Sequence, residues 1–141
     1  MIRITANVRL NAWRGQQLVD RVPRVLAAYG RELGPQLRTE IETEQFAWPR
    51  QTRRRSGRTV SSPRDIVDLG TFRDSQQLEA PARNRLRFVW DPRGRNGFRY
   101  GGLLYTGYVT SKGTSVPGRN WMKPALDRKP MAPFFRNNWR A

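Results

Sequence analysis

Five arginines fall within nine residues: Arg50, Arg53, Arg54, Arg55 and Arg58. Guanidinium forks at this density suit one kind of chemistry, pairing with phosphate or carboxylate, often through two parallel hydrogen bonds. The side chains of covalent and acid–base catalysis are missing by type. With no histidine and no cysteine in the chain, the commonest general base and the strongest nucleophile are both absent, and so are thiolate metal ligands and disulfides. Asp65, Asp68 and Asp74 lie close enough in sequence to hold a divalent cation through oxygen. The same carboxylates are better read as capping a turn and a helix, or as pairing with Arg64 and Arg73. Lys112, Gly113 and Gly118 lack the Gly-Lys-Ser/Thr order of a phosphate-binding loop. The sequence therefore predicts a protein that is not an enzyme and needs no cofactor or metal.

The charge points the same way as the arginine run. Against 11 Asp+Glu stand 27 Lys+Arg, a net +16, and the lysines are Lys112, Lys123 and Lys129 alone. Such an excess implies a negatively charged partner, nucleic acid or protein. For the run at 50–58 three readings stand side by side. It contacts phosphates with release of counterions, it docks on an acidic partner protein, or it is a solvated face. Arg93-Gly94-Arg95 and Arg99-Tyr100-Gly101-Gly102 share the composition of Arg-Gly-Gly RNA-binding segments, and a hairpin turn accounts for the same glycines. Trp48 and Phe46 beside the run could stack on bases, but they also complete a helical stripe.

At 141 residues the chain reads as a single α+β domain, 1–141, with a modest core. Aromatics at 11% argue against a disordered basic tail. No run of apolar residues is long enough for a membrane span, and no signal core opens the chain, so the reading is of a cytoplasmic protein without membrane contact. Ile2, Ile4, Ala6, Val8 and Leu10 alternate with polar residues, which predicts an N-terminal strand or arm over 1–12. Leu18, Val22, Val25, Leu26, Tyr29, Leu33, Leu37 and Ile41 follow at helical spacing. Asp20 is the expected cap, with Pro23 in the first turn, and Gly34-Pro35 should kink or split the helix. An Arg-rich mobile loop is expected over 47–64.

Thr71 and Asp74 have capping-box spacing, predicting a short helix over 71–77. Leu86, Phe88 and Trp90 predict a strand, and Phe98-Arg99-Tyr100 its return after a turn. A helical turn at 103–108 leads to a flexible loop over 109–118. A helix carrying Trp121, Met122 and Leu126 is then expected, followed by an aromatic tail over 128–141 with Phe134, Phe135 and Trp139. The assembled expectation is a long N-terminal helix packed on a small antiparallel sheet.

Two motifs carry a resemblance. Gly70, Thr71, Phe72, Arg73 and Ser75 match one element, and Tyr100, Gly107, Pro117, Trp121, Met122, Pro124, Ala125 and Leu126 match a second. In this order, across roughly residues 18–127, the chain resembles the tail-completion and head–tail connector (neck) proteins of long-tailed bacteriophages. Phe72 stands where that family usually has leucine, and Tyr105-Thr106-Gly107-Tyr108 replaces an acidic run. The resemblance implies a structural virion protein that forms a homo-oligomeric ring, commonly of six subunits. Such a ring joins a portal-side adaptor to the tail tube or terminator and surrounds the DNA channel. It further implies that Arg50, Arg53, Arg54, Arg55 and Arg58 face channel DNA or a partner. Ile2, Ile4, Lys112, Trp121, Phe134, Phe135 and Trp139 are then the candidates for contacts with other subunits. The alternative is a sequence-nonspecific nucleic-acid-binding protein of the cytoplasm.

Overall fold

A helix of 29 residues, α1 (Gly15–Thr43), lies against a three-stranded antiparallel sheet, giving the α+β fold. The computed structural model describes residues 1–7, 15–43, 51–54, 57–61, 70–82, 84–94 and 96–139. In chain order the elements are β1 (Ile2–Asn7), α1, β2 (Thr52–Arg53), β3 (Thr59–Val60), α2 (Thr71–Asp74), β4 (Gln76–Ala82) and β5 (Arg85–Trp90). There follow α3 (Gly101–Thr106), β6 (Gly107–Val109), β7 (Ser115–Pro117), α4 (Met122–Arg128) and α5 (Met131–Asn138).

The helical stripe behaves as its spacing requires. Val22, Val25, Leu26, Tyr29, Leu33, Leu37 and Ile41 are all buried. Each such side chain contributes about 1.5–3 kcal/mol of burial, which explains how α1 continues through two interior prolines, Pro23 and Pro35. An interior proline costs about 3 kcal/mol; the apolar residues buried on either side of each one outweigh it. The helix accordingly starts before Asp20, which does not cap it, and it does not divide at Gly34-Pro35. The Gly34 carbonyl accepts a hydrogen bond from Gln76 Nε2 at 2.9 Å, tying the helix to β4.

The sheet has the order β1-β5-β4. Ile2 stands opposite Trp90 and Ile4 opposite Phe88, while Leu78 of β4 stands opposite Phe88 from the other side. Alternation then turns Leu86, Phe88 and Trp90 toward α1. β4 takes up Gln76 and Gln77, the last two residues of the helix expected over 71–77. Its Gln76-Gln-Leu-Glu-Ala-Pro-Ala sequence has little strand propensity, so pairing with β5 decides its conformation. Pro81 is tolerated because β4 is an edge. The expected return strand after β5 shrinks to one bridge, Arg93 with Arg99.

At α2 the capping box does not form. Gly70 is the N-cap at φ 79°, and no side chain caps the helix. The Asp74 carboxylate instead accepts from Arg73 at 2.7 and 3.1 Å, and a charge-assisted pair of this kind outcompetes a neutral cap. Phe72 of α2 packs in the core with its ring 4.8 Å from Trp121 and 6.5 Å from Trp90. Asn120 Oδ1 accepts from the Lys123 N–H at 3.0 Å to start α4, and Pro124 falls in the first turn, where its missing N–H is harmless.

Candidate polyanion-binding hairpins

The arginine run is a hairpin. β2 and β3 pair antiparallel, Thr52 with Val60 and Arg53 with Thr59. The turn closes through Arg54 N–H to the Arg58 carbonyl at 2.8 Å and Gly57 N–H to the Arg54 carbonyl at 2.9 Å, with Gly57 at φ 87°. Within the expected Arg-rich loop, the described residues 51–54 and 57–61 thus form a two-stranded ribbon. Arg53 and Arg58 are exposed and Arg54 is half-buried. Arg53 Nε donates to the Gly57 carbonyl at 3.2 Å, which lays its guanidinium across the turn. Arg50 and Arg55, and the carboxylates Asp65 and Asp68, lie outside the described residues.

The same turn recurs twice. Gly94 N–H bonds the Phe98 carbonyl and Gly97 N–H the Gly94 carbonyl; Thr110 N–H bonds the Thr114 carbonyl and Gly113 N–H the Thr110 carbonyl. Gly97 and Gly113 have φ 71° and 75°. In each, a three-residue loop ends on a glycine in the left-handed region, the geometry that carries a G1 bulge. Each ribbon presents basic side chains. Lys112 is exposed at the tip of the β6–β7 hairpin, so the segment expected as a flexible loop over 109–118 is also a built hairpin. Asp91 holds both Arg93 and Arg99 at 3.3 Å, and their side chains stay 58% and 48% exposed.

The other predicted site residues divide. Ile4 is half-buried at the rim of the sheet. Ile2 is 8% exposed and Trp121 fully buried, so neither side chain is on the surface to meet another subunit. Trp121 is enclosed edge-on by Phe72, Trp90 and Tyr105. Phe134, Phe135 and Trp139 pack partly buried against the chain's own core. Phe134 lies 5.2 Å from Tyr29, and Arg21 stands 5.7 Å over Trp139. The aromatic tail is thus helix α5 docked on α1.

Two buried charges went unpredicted, Glu40 and Arg119. Glu40 Oε1 accepts from Gln36 Nε2 at 2.5 Å and from Arg128 Nη1, joining α1 to α4. Its position seven residues after Leu33 placed it on the buried stripe, and that spacing was the available signal. Arg73 bridges Asp74 to Glu42 at 2.5 Å. The hydrogen bond from Arg73, with its positive charge, holds the Asp74 carboxyl below the usual carboxylate range, and the two carboxylates raise Arg73. Burial pushes the Tyr29 hydroxyl up. Among the described residues no group of three or more Asp and Glu could hold a metal ion, and no helix is long and apolar enough to cross a membrane.

No protein family, no curated protein and no solved structure matches this chain.

Proposed function

We propose that this chain is a structural subunit of a bacteriophage head–tail junction, closing with copies of itself into a ring around DNA. The observation that carries the reading is the pairing of β2 with β3, a short ribbon that carries Arg53, Arg54 and Arg58 in its described part. Such a ribbon can line a channel and meet phosphates without reading sequence. The α+β fold, with its long helix on a small antiparallel sheet, is of the kind that the two-motif resemblance implies. The net charge of +16 opposes self-association at low ionic strength, so ring closure is favoured by salt or by a polyanion. The ring's neighbours in the neck are then a portal-side adaptor and a tail tube or terminator.

The same hairpin favours a second reading, a nucleic-acid-binding protein that acts without forming a ring. The two separate on assembly. Native mass measured with and without short duplex DNA supports the ring by a discrete closed oligomer. Tight, salt-sensitive DNA binding by a persistent monomer supports the second reading.

A further inference from the structure

We propose that the open edge of β1 is a self-pairing surface, on which a second copy adds its own β1 antiparallel to make one continuous six-stranded sheet. The two edges of the sheet differ. β4 carries Pro81 and an irregularity of pairing between Glu79 and Ala82, both devices that discourage an added strand. β1 has neither. It runs in unbroken register with β5 over all six residues, and among the described residues no strand pairs with its outer side. Its outward backbone groups are a ready template for another strand.

The occupant follows from register. Two strands meeting about a two-fold axis perpendicular to the sheet must centre on one residue for their faces to agree. Centring on Arg3 sets two like charges opposite each other, which is unfavourable. Centring on Thr5 separates the two Ile4 side chains. Centring on Ile4 places Ile4 opposite Ile4 of the second copy and each Arg3 opposite a Thr5 hydroxyl. Ile4 is the residue with an apolar side chain left half-covered at this rim, and this register covers it. α1 makes its main sheet contacts with β4 and β5, toward the edge of the sheet opposite β1. This pairing uses β1 alone and stands independently of the ring.

The chain contains no cysteine, which allows a register-resolved test on the full-length protein. Arg3→Cys and Thr5→Cys are both at exposed positions, and circular dichroism checks that each variant folds. Under mild oxidation at elevated salt, a mixture of the two variants should form a disulfide-linked dimer, and either variant alone should form none. Ile4→Cys alone should crosslink to itself. Failure of the mixture to crosslink overturns the proposal, and crosslinking of Thr5→Cys alone overturns the register. A mass for the unmodified chain that stays monomeric at elevated salt also overturns the proposal, and a dimeric mass supports it.

Discussion

The Tyr29 hydroxyl donates a 2.6 Å hydrogen bond to the Lys129 carbonyl, a hundred residues away in sequence. That bond sits where α4 gives way to α5, and it fixes the C-terminal helices on α1. Around it, Phe134 packs on the Tyr29 ring, and Lys129 Nζ reaches Glu32 at 3.6 Å. Tyr29→Phe keeps the ring and removes the bond, so it should cost about 1 kcal/mol in chemical denaturation. The raised Tyr29 hydroxyl adds a pH signature. The folded state holds the neutral form, so its contribution is present below about pH 10 and is lost as pH rises through the folded value. The phenylalanine variant should lack that alkaline loss.

Glu40 and Arg128 form a second clasp between α1 and α4. Glu40 is fully buried, whereas the Arg128 side chain is 56% exposed. Removing the arginine strands a carboxylate in the core, so Arg128→Ala should destabilise the fold by about 2–3 kcal/mol, below the upper range for fully buried pairs. Glu40→Gln keeps the shape without the charge and should cost less. Thermal unfolding of the two variants side by side checks the order.

The base of the β6–β7 hairpin is built on backbone contact. A Cβ on Gly118 would stand 2.4 Å from the Tyr105 carbonyl oxygen, and one on Gly107 would stand 2.6 Å from the Gly118 nitrogen. Gly107 also has φ 82°, a region that side chains resist. Gly118→Ala and Gly107→Ala should each cost more than about 2 kcal/mol, and exchange of the Arg119 amide, bonded to the Leu104 carbonyl at 3.0 Å, should accelerate. Gly102→Ala, where nothing lies within 4 Å of the added carbon, is the control that should cost little.

Acid should weaken the Arg73–Asp74 pair within α2. Because Arg73 holds Asp74 below its unfolded value, the stabilisation is present above the unfolded pKa and disappears as pH falls through the folded one. Asp74→Asn should therefore flatten the loss of stability below about pH 4, measured as denaturation midpoints across an acid series.

How much of this was legible in the sequence follows from the range of each signal. The α1 stripe repeats over seven buried positions from Val22 to Ile41, and no local cap or proline could mask it. Asp20 and Pro23 misplaced the start because their local signal is weaker than the burial that extends the helix past them. β4 was hidden because its residues carry no strand pattern of their own and take their conformation from β5. Trp121 as a subunit contact rests on the resemblance and not on any exposure signal in its own segment. Its burial depends on Phe72, Trp90 and Tyr105, which come from three separate segments and meet only in the fold. The arginine run was plain as a cluster of charge. Its hairpin was not, since strands of two residues each are too short to show a period, and Gly57 was the sole turn signal in the described part.

The arginine hairpin is the part of the molecule on which function is predicted to turn. Replacing Arg53, Arg54 and Arg58 with serine removes exposed or half-exposed charge and should leave the unfolding transition unchanged. Affinity for short duplex DNA should drop, and the slope of log affinity against log salt should fall by roughly 3 if all three meet phosphates, at about 0.9 per contact. Loss of fold would place these arginines in the core's support, and an unchanged slope would remove them from the phosphate interface.

The most direct measurement is native mass by light scattering at low and high salt, each with and without short duplex DNA. Ring assembly predicts a discrete closed oligomer, near six copies of the 16.4 kDa chain, that gains population with salt or DNA. A mass that stays at one or two copies under all four conditions would contradict it.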